Sequence, residues 1–248
     1  MNPINRFRAG TRPAPTVIDR FNSARLYAIT CPPKEGPGGY EDMVRAACEG
    51  GADIIQFRDK LITGRERFSA AARLLRICRE FRVLFIVNDA LEVAMAVGAD
   101  GVHLGQDDLP VAEAKKLMHP MGVKNFLVGA STHSLEQALE AEKQGADYIG
   151  VGPVFATPTK PTYNPVGLEL VKTVAGRVKV PQVAIGGIDS SNVAQVLAAG
   201  ARRAAVVRAV CGADDIAAAA KRMKEALKDV TPAEAGAQSR TGFRLSPQ

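Results

Sequence analysis

EGGADIIQF, residues 49 to 57, closes an amphipathic segment with glycine and alanine and then runs directly into a short apolar stretch. The same punctuation returns in KQGADYIGV (143–151) and AAGARRAAVV (198–207), and VGADGVHL (97–104) comes close to it. Glycine ends a helix by adopting a left-handed backbone, and alanine packs where the chain turns under a sheet. A unit that repeats helix, Gly-Ala and strand suits equivalent modules in a closed parallel sheet.

Working outward, the chain begins with LYAIT (26–30) and a helical pattern over 40–49, followed by DIIQF and a helix over about 64–81. LFIVN, a helix over 91–97, GVHL, a helix starting at Pro110, FLVGA and a helix over 134–144 follow. YIGVG, a helix over 167–175, QVAIG, a helix over 190–198, AAVV and a last helix over 214–228 complete eight β-α units. The expected fold is therefore α/β, a single-domain (β/α)8 TIM barrel spanning 24–229. A doubly wound open sheet usually has fewer strands and a G-x-G-x-x-G turn after its first strand, which is missing here. Residues 1–23, rich in Arg and Pro, and the Ala/Gly/Ser/Pro-rich 230–248 are expected to be disordered extensions.

Composition narrows the function. The 248 residues carry a net charge of +6, but Arg6, Arg8, Arg12 and Arg20 supply much of it and the remaining cations are mixed with acids. An anionic small molecule is a better partner for such a pattern than nucleic acid. No apolar run approaches the roughly 18 residues of a membrane span, and no signal-peptide core is present, so a cytoplasmic location is expected. Cys31, Cys48, Cys78 and Cys211 are far apart and form no C-x-x-C pair, which argues against a zinc or disulfide framework.

In a barrel the chemistry collects where strands end. Gln56, Arg58 and Lys60 alternate at the end of the second strand, so they turn to one side while Phe57 turns to the other. The third strand ends in Asn88-Asp89, the fourth carries His103 inward and leads to Asp108, and the fifth supplies Ser131. Asp89 and Asp108, on neighbouring strand ends and near Arg58, Lys60 and Lys160, suggest a Mg²⁺ ion that shares its shell with phosphate oxygens. Each carboxylate also suits a helix cap, Asp89 before the helix at 91 and Asp108 before the one at Pro110. His133 suits a helix start, and His119 a surface loop. The loop FATPTK (155–160) and Gly186-Gly187 suit oxyanions, so two anion sites are expected.

These residues, in this order, resemble the thiamine-phosphate synthase family: Q-F-R-D-K, N-D, A-D-G-V-H-L-G-Q-D-D-L-P, G-A-S-T-H, D-Y-I-G-V-G-P-V-F-A-T-P-T-K and A-I-G-G-I, over about 26 to 228. The resemblance implies condensation of a hydroxymethylpyrimidine diphosphate with a thiazole phosphate, releasing pyrophosphate through a dissociative, Mg²⁺-assisted path. It assigns Gln56, Arg58, Lys60 and Asn88 to the pyrimidine diphosphate, Asp89 and Asp108 to Mg²⁺, Ser131 to the pyrimidine and Lys160 to the diphosphate. Thr157 and Thr159 would meet the thiazole phosphate, as would Gly187 and the backbone at Val207 and Arg208. His103 would orient a phosphate or the pyrimidine. Partners are thus phosphorylated small molecules, with homo-oligomers left open.

Two positions depart from the family pattern. Many members place Arg after Asn-Asp, where this chain has Ala90, and many have Val-Ser-Ala-Ile where it has Val207-Arg208-Ala209-Val210. Alternative readings are a thiazole tautomerase-like relative, which needs no diphosphate site, and a non-catalytic barrel that binds a thiamine precursor.

Overall fold

The computed structural model describes residues 14–33, 39–158 and 164–228. Eight parallel strands close into a barrel in sequence order: β1 (Leu26–Ile29), β2 (Ile54–Phe57), β3 (Leu84–Asn88), β4 (Gly101–Leu104), β5 (Leu127–Thr132), β6 (Tyr148–Val151), β7 (Gln182–Ile185) and β8 (Ala204–Val206). The helices that follow them are α2 (Gly39–Glu49), α3 (Gly64–Glu80), α4 (Leu91–Val97), α5 (Val111–Met118), α6 (Leu135–Lys143), α7 (Gly167–Arg177), α8 (Val193–Ala198) and α9 (Ile216–Ala226). Closure comes from pairing of β1 with β8, Leu26 opposite Ala204.

Strand alternation divides the core in two. Ile55, Phe57, Phe85, Val87, Val102 and Leu104 face outward into the layer between sheet and helices, while Ile54, Leu84, Ile86, Leu127 and Tyr148 fill the barrel interior. The expected barrel is present, and with it the inward placement of Gln56 and His103.

The repeat that opened the sequence has a second physical content. The Asp of each G-A-D stands one residue before β2, β4 and β6, and its carboxylate accepts backbone amides around the start of the preceding strand. Asp53 accepts from the Arg25 and Leu26 amides at 2.8 and 2.9 Å, Asp100 from Phe85 at 2.8 Å, and Asp147 from Val128 at 2.7 Å. Lysine or arginine completes each: Lys224 bonds Asp53, Arg79 Asp100 and Lys115 Asp147. Gly98 and Gly145 take the left-handed conformation that the helix ends require, with φ of 74° and 87°. Before β8 the carboxylate is replaced by Arg203, which serves a different element.

That element corrects the expected boundary. Residues 17–23 belong to the fold and not to a disordered extension: α1 (Val17–Ser23) is started by a capping box between Thr16 and Asp19. It lays a fully buried Phe21 into the barrel interior. Arg203 donates to the Phe21 and Asn22 carbonyls at 2.9 and 2.7 Å and stacks over the Phe21 ring at 5.1 Å. Arg20, counted with the basic leader, donates to the Arg82 carbonyl at 2.8 Å. Residues 1–13 and 229–248 lie outside the described residues.

Candidate active site

The mouth of the barrel opens into a cavity of about 490 Å³, within the size range of small-ligand sites. Gln56, Arg58, Asn88, His103 and Ser131 line it from β2 to β5. Thr157, Gly187, Val207 and Arg208 line the opposite side. Lys60, Asp89 and Asp108 do not border this cavity but gather beside it, next to Arg58 and Asn88. Thr159 and Lys160 lie outside the described residues.

The β2 end is held by its neighbours. The fully buried Thr30 accepts from the Arg58 amide at 2.9 Å and donates to the Arg58 carbonyl at 3.2 Å, so the backbone that carries the guanidinium is fixed on both sides. Asp59 accepts from the Leu61 amide at 2.8 Å and from the Tyr40 hydroxyl at 2.6 Å, folding the loop that carries Lys60 toward the end of β3. Phe57 meets Tyr40 edge-on at 5.2 Å in the outer core. Lys60 is past the strand, yet its ammonium stands 3.6 Å from Asp89 Oδ2.

Asp89 has φ of 63°, a backbone that few residues other than glycine adopt and that Asp tolerates better than most. Its amide donates to the His103 carbonyl at 2.8 Å, which pins the end of β3 to β4. Neither expected helix cap is made: the N-cap of α4 is Ala90 and that of α5 is Pro110, both without a side-chain capping bond. Asp108 instead closes its own loop, accepting from the Gly105 amide at 2.6 Å. Burial, and next the hydrogen bond and charge of Asp108, push the Asp89 carboxyl up to about 6, while Lys60 and Arg58 pull it down. A pair of carboxylates held this close gives up repulsion by sharing a proton or by sharing a cation. Among the described residues no group of three or more His, Cys, Asp or Glu side chains surrounds them. Two oxygens from one side, with the other positions left to water and ligand, form a donor set of the kind used by Mg²⁺ rather than by zinc. Ala90 is buried in the outer core, so the position that departs from the family pattern does not face the pair.

Deeper in the cavity, polar groups link across the barrel. Gln56 Nε2 donates to the Tyr27 hydroxyl at 2.7 Å, Tyr27 meets the Tyr148 hydroxyl at 3.0 Å, and Tyr148 meets His103 Nδ1 at 3.1 Å. His103 Nε2 lies 3.0 Å from Ser131 Oγ. Burial raises both phenols well above their ordinary pKa, so both stay protonated at working pH. Gln56 is buried with its amide nitrogen toward Tyr27. The sequence reading passed over both tyrosines, which look like ordinary strand residues in LYAIT and YIGVG; their inward register was the available signal.

On the far side, the β6 and β7 loops are zipped together: the Val154 and Phe155 amides donate to the Ile185 and Gly186 carbonyls at 2.8 and 3.0 Å. Gly187 has φ of 65°, and a Cβ there would come within 2.7 Å of the Ala156 carbonyl oxygen. The position demands glycine because the β6 loop packs against it, and its backbone lines the cavity. After β8 the Cys211 and Val210 amides donate to the Val207 carbonyl at 2.8 and 3.3 Å, closing a turn whose residues Val207, Arg208 and Ala209 line the cavity. Arg208 is exposed on this turn. His133, expected at a helix start, has another place: Ser134 caps α6, while the His133 ring bonds the Gly152 carbonyl and lines the cavity.

Comparison with known proteins agrees with this geometry. The family model described as thiamine monophosphate synthase matches residues 26–210. The thiamine-phosphate synthase of Chloroflexus aurantiacus is 45% identical over 212 residues, 85% of this chain and 95% of that protein. The Methanoculleus marisnigri thiamine-phosphate synthase is 46% identical over 81% of this chain and 93% of its own length. Among solved structures, the thiamine phosphate pyrophosphorylase from Pyrococcus furiosus superposes with a TM-score of 0.75 at 41% identity, covering 84% of this chain and 96% of that one.

Proposed function

The chain belongs to the thiamine-phosphate synthase family, and from that premise we propose how its barrel mouth joins an aminopyrimidine methyl diphosphate to a thiazole phosphate with loss of pyrophosphate. The observation that supports the reading is that two differently built groups, each suited to an anion, flank one cavity. One is made of side-chain cations and a carboxylate pair at β2, β3 and β4; the other is backbone at Gly187 and at the turn after Val207.

The first site suits a diphosphate. Arg58 and Lys60 bring fixed positive charge toward the leaving group, and Asn88 adds a neutral donor beside them. The family resemblance assigns Lys160 to the diphosphate and Thr159 to the thiazole phosphate, and Thr157, which lines the cavity, is proposed to meet the thiazole phosphate as well. Asp89 and Asp108 would hold Mg²⁺. When bound, that ion supplies charge that offsets the negative charge gathering on the departing diphosphate. Carbon-oxygen cleavage leaves an electron-rich aminopyrimidine whose ring delocalises the resulting positive charge, so a dissociative path needs no general base. The remaining requirement is alignment: the thiazole nitrogen must face the methylene carbon while the cavity keeps both rings in place. Ser131 contacts the pyrimidine edge in this arrangement, with His103 orienting it.

The second site suits a monophosphate. Backbone amides at a helical turn attract an oxyanion without side-chain charge, and Arg208 adds charge where many relatives have Ser. A tautomerase-like reaction would leave the cation and carboxylate cluster at β2–β4 without a task. We propose that the enzyme works in the cytoplasm: among the described residues Cys31, Cys48, Cys78 and Cys211 form no disulfide, which suits a reducing compartment, and no helix is long and apolar enough to cross a membrane. Pyrophosphate release from the two phosphorylated precursors, with and without Mg²⁺, tests the reading.

A further inference from the structure

We infer that Tyr148, backed by Tyr27, is a positioning residue that sets the proton order of His103 and thereby makes Ser131 a hydrogen-bond donor toward a ring nitrogen of the pyrimidine. The inference rests on the reading above of Ser131 as the pyrimidine contact. It begins at Gln56, whose amide nitrogen can only donate, so the Tyr27 oxygen 2.7 Å away is the acceptor. The Tyr27 proton then needs another destination. Tyr27 is 2% exposed, and the Tyr148 hydroxyl lies 3.0 Å from it. In the opposite order Tyr27 would accept from both neighbours and bury its own O–H unmade, which forfeits the full desolvation cost of that group.

With Tyr27 donating to Tyr148, the Tyr148 proton goes to His103 Nδ1 at 3.1 Å. A neutral imidazole that accepts at Nδ1 carries its proton on Nε2. Nε2 faces Ser131 Oγ at 3.0 Å, so the serine oxygen accepts and its own proton is left for a ligand in the cavity it lines. The reversed order would have Ser131 donate to the imidazole and offer the ligand only lone pairs, which suit an amino group instead of a ring nitrogen. The order therefore selects the edge of the pyrimidine that the serine reads.

The surroundings hold Tyr148 to this task. A Cβ on Gly129 would fall 2.1 Å from Tyr148 Cζ, so β5 leaves a slot for the ring. From below, Phe21 of α1 packs against it with ring centroids 4.5 Å apart. The hydroxyl is thus aimed by packing on both faces.

The test is long-range ¹⁵N–¹H correlation on the full chain labelled at histidine, at a pH well above the ordinary imidazole pKa of about 6.5, with His119→Gln and His133→Gln spectra to assign His103. The wild type should show His103 as the Nε2–H tautomer. Tyr148→Phe should move it toward the Nδ1–H form and raise KM for the pyrimidine diphosphate about tenfold, while KM for the thiazole phosphate stays within about twofold. An active wild-type enzyme with His103 protonated on Nδ1 overturns the proton order and leaves the synthase reading standing, and this result needs no variant to fold. A Tyr148→Phe protein that keeps both the tautomer and the pyrimidine KM also overturns it. A wild type with the Nε2–H form but no synthase activity overturns the ligand assigned to Ser131 instead.

Discussion

Lys60 Nζ stands 3.6 Å from Asp89 Oδ2, bridging the ends of β2 and β3 beside the cavity. The lysine side chain is 60% exposed, so the pair contributes little to folding. Lys60→Met should therefore change stability by less than about 0.5 kcal/mol yet lower kcat by about 100-fold, the scale of removing one preorganised charge partner from a developing anion. Urea unfolding and steady-state kinetics on the same preparation separate the two effects, and a variant with unchanged kcat would remove Lys60 from the diphosphate site.

Asp89→Asn tests the metal. The Mg²⁺ concentration for half-maximal velocity should rise at least about tenfold, and chelation of divalent ions should abolish turnover of the wild type. An unaltered Mg²⁺ dependence would place the ion elsewhere.

The raised Asp89 carboxyl gives a pH signature with a definite sign. Its folded pKa of about 6 lies above the ordinary 3.8, so the folded protein binds this proton more tightly than the unfolded chain does. The stability it contributes is present at low pH and lost as pH rises through about 6. Without metal, Asp89→Asn should be more stable than wild type near pH 8, by about 1 kcal/mol once partial exposure is discounted, and the difference should shrink toward pH 5. Thermal unfolding in chelator at both pH values measures it. In kinetics, Mg²⁺ must displace that proton, so the Mg²⁺ requirement should climb as pH falls below about 6.

Arg208 bears on the other anion site. Arg208→Ser should raise KM for the thiazole phosphate about fivefold, equivalent to about 1 kcal/mol for a partly solvated charge contact, with the pyrimidine KM nearly unchanged. Equal effects on both substrates would contradict the placement of the thiazole phosphate at the β8 turn.

The strand-start carboxylates predict stability without function. Asp100 is 3% exposed and accepts from Phe85 and Arg79. Asp100→Ala leaves a buried amide without its acceptor and should cost about 2–3 kcal/mol, roughly 4–12 °C in Tm for a domain of this size, with both KM values unchanged.

These contrasts show what the sequence makes legible. Periodicity and the Gly-Ala punctuation were enough for eight strands in order, because each local signal agrees with its neighbours. Side-chain direction within a strand followed from alternation, hence the correct inward placement of Gln56 and His103. The strand-start role of Asp53, Asp100 and Asp147 stayed hidden in the same repeats, because the amides they receive belong to the strand one unit earlier. The place of α1 was hidden for a similar reason: seven helical residues carry a weak pattern, and the residues that fix Phe21, Tyr148 and Arg203, lie far along the chain. At the site, residue types announced the carboxylate and cation cluster, whereas Tyr27 and Tyr148 became visible once closure of the barrel brought β1 and β6 within hydrogen-bonding reach across its interior.

The central claim is that two phosphorylated ligands occupy one cavity and exchange a diphosphate for a carbon-nitrogen bond. Pyrophosphate release measured with the purified chain, Mg²⁺, the aminopyrimidine methyl diphosphate and the thiazole phosphate tests it most directly. The account predicts one pyrophosphate per thiamine phosphate formed, release that requires both substrates, and its loss on chelation. Saturating substrates and Mg²⁺ with no pyrophosphate released would contradict it.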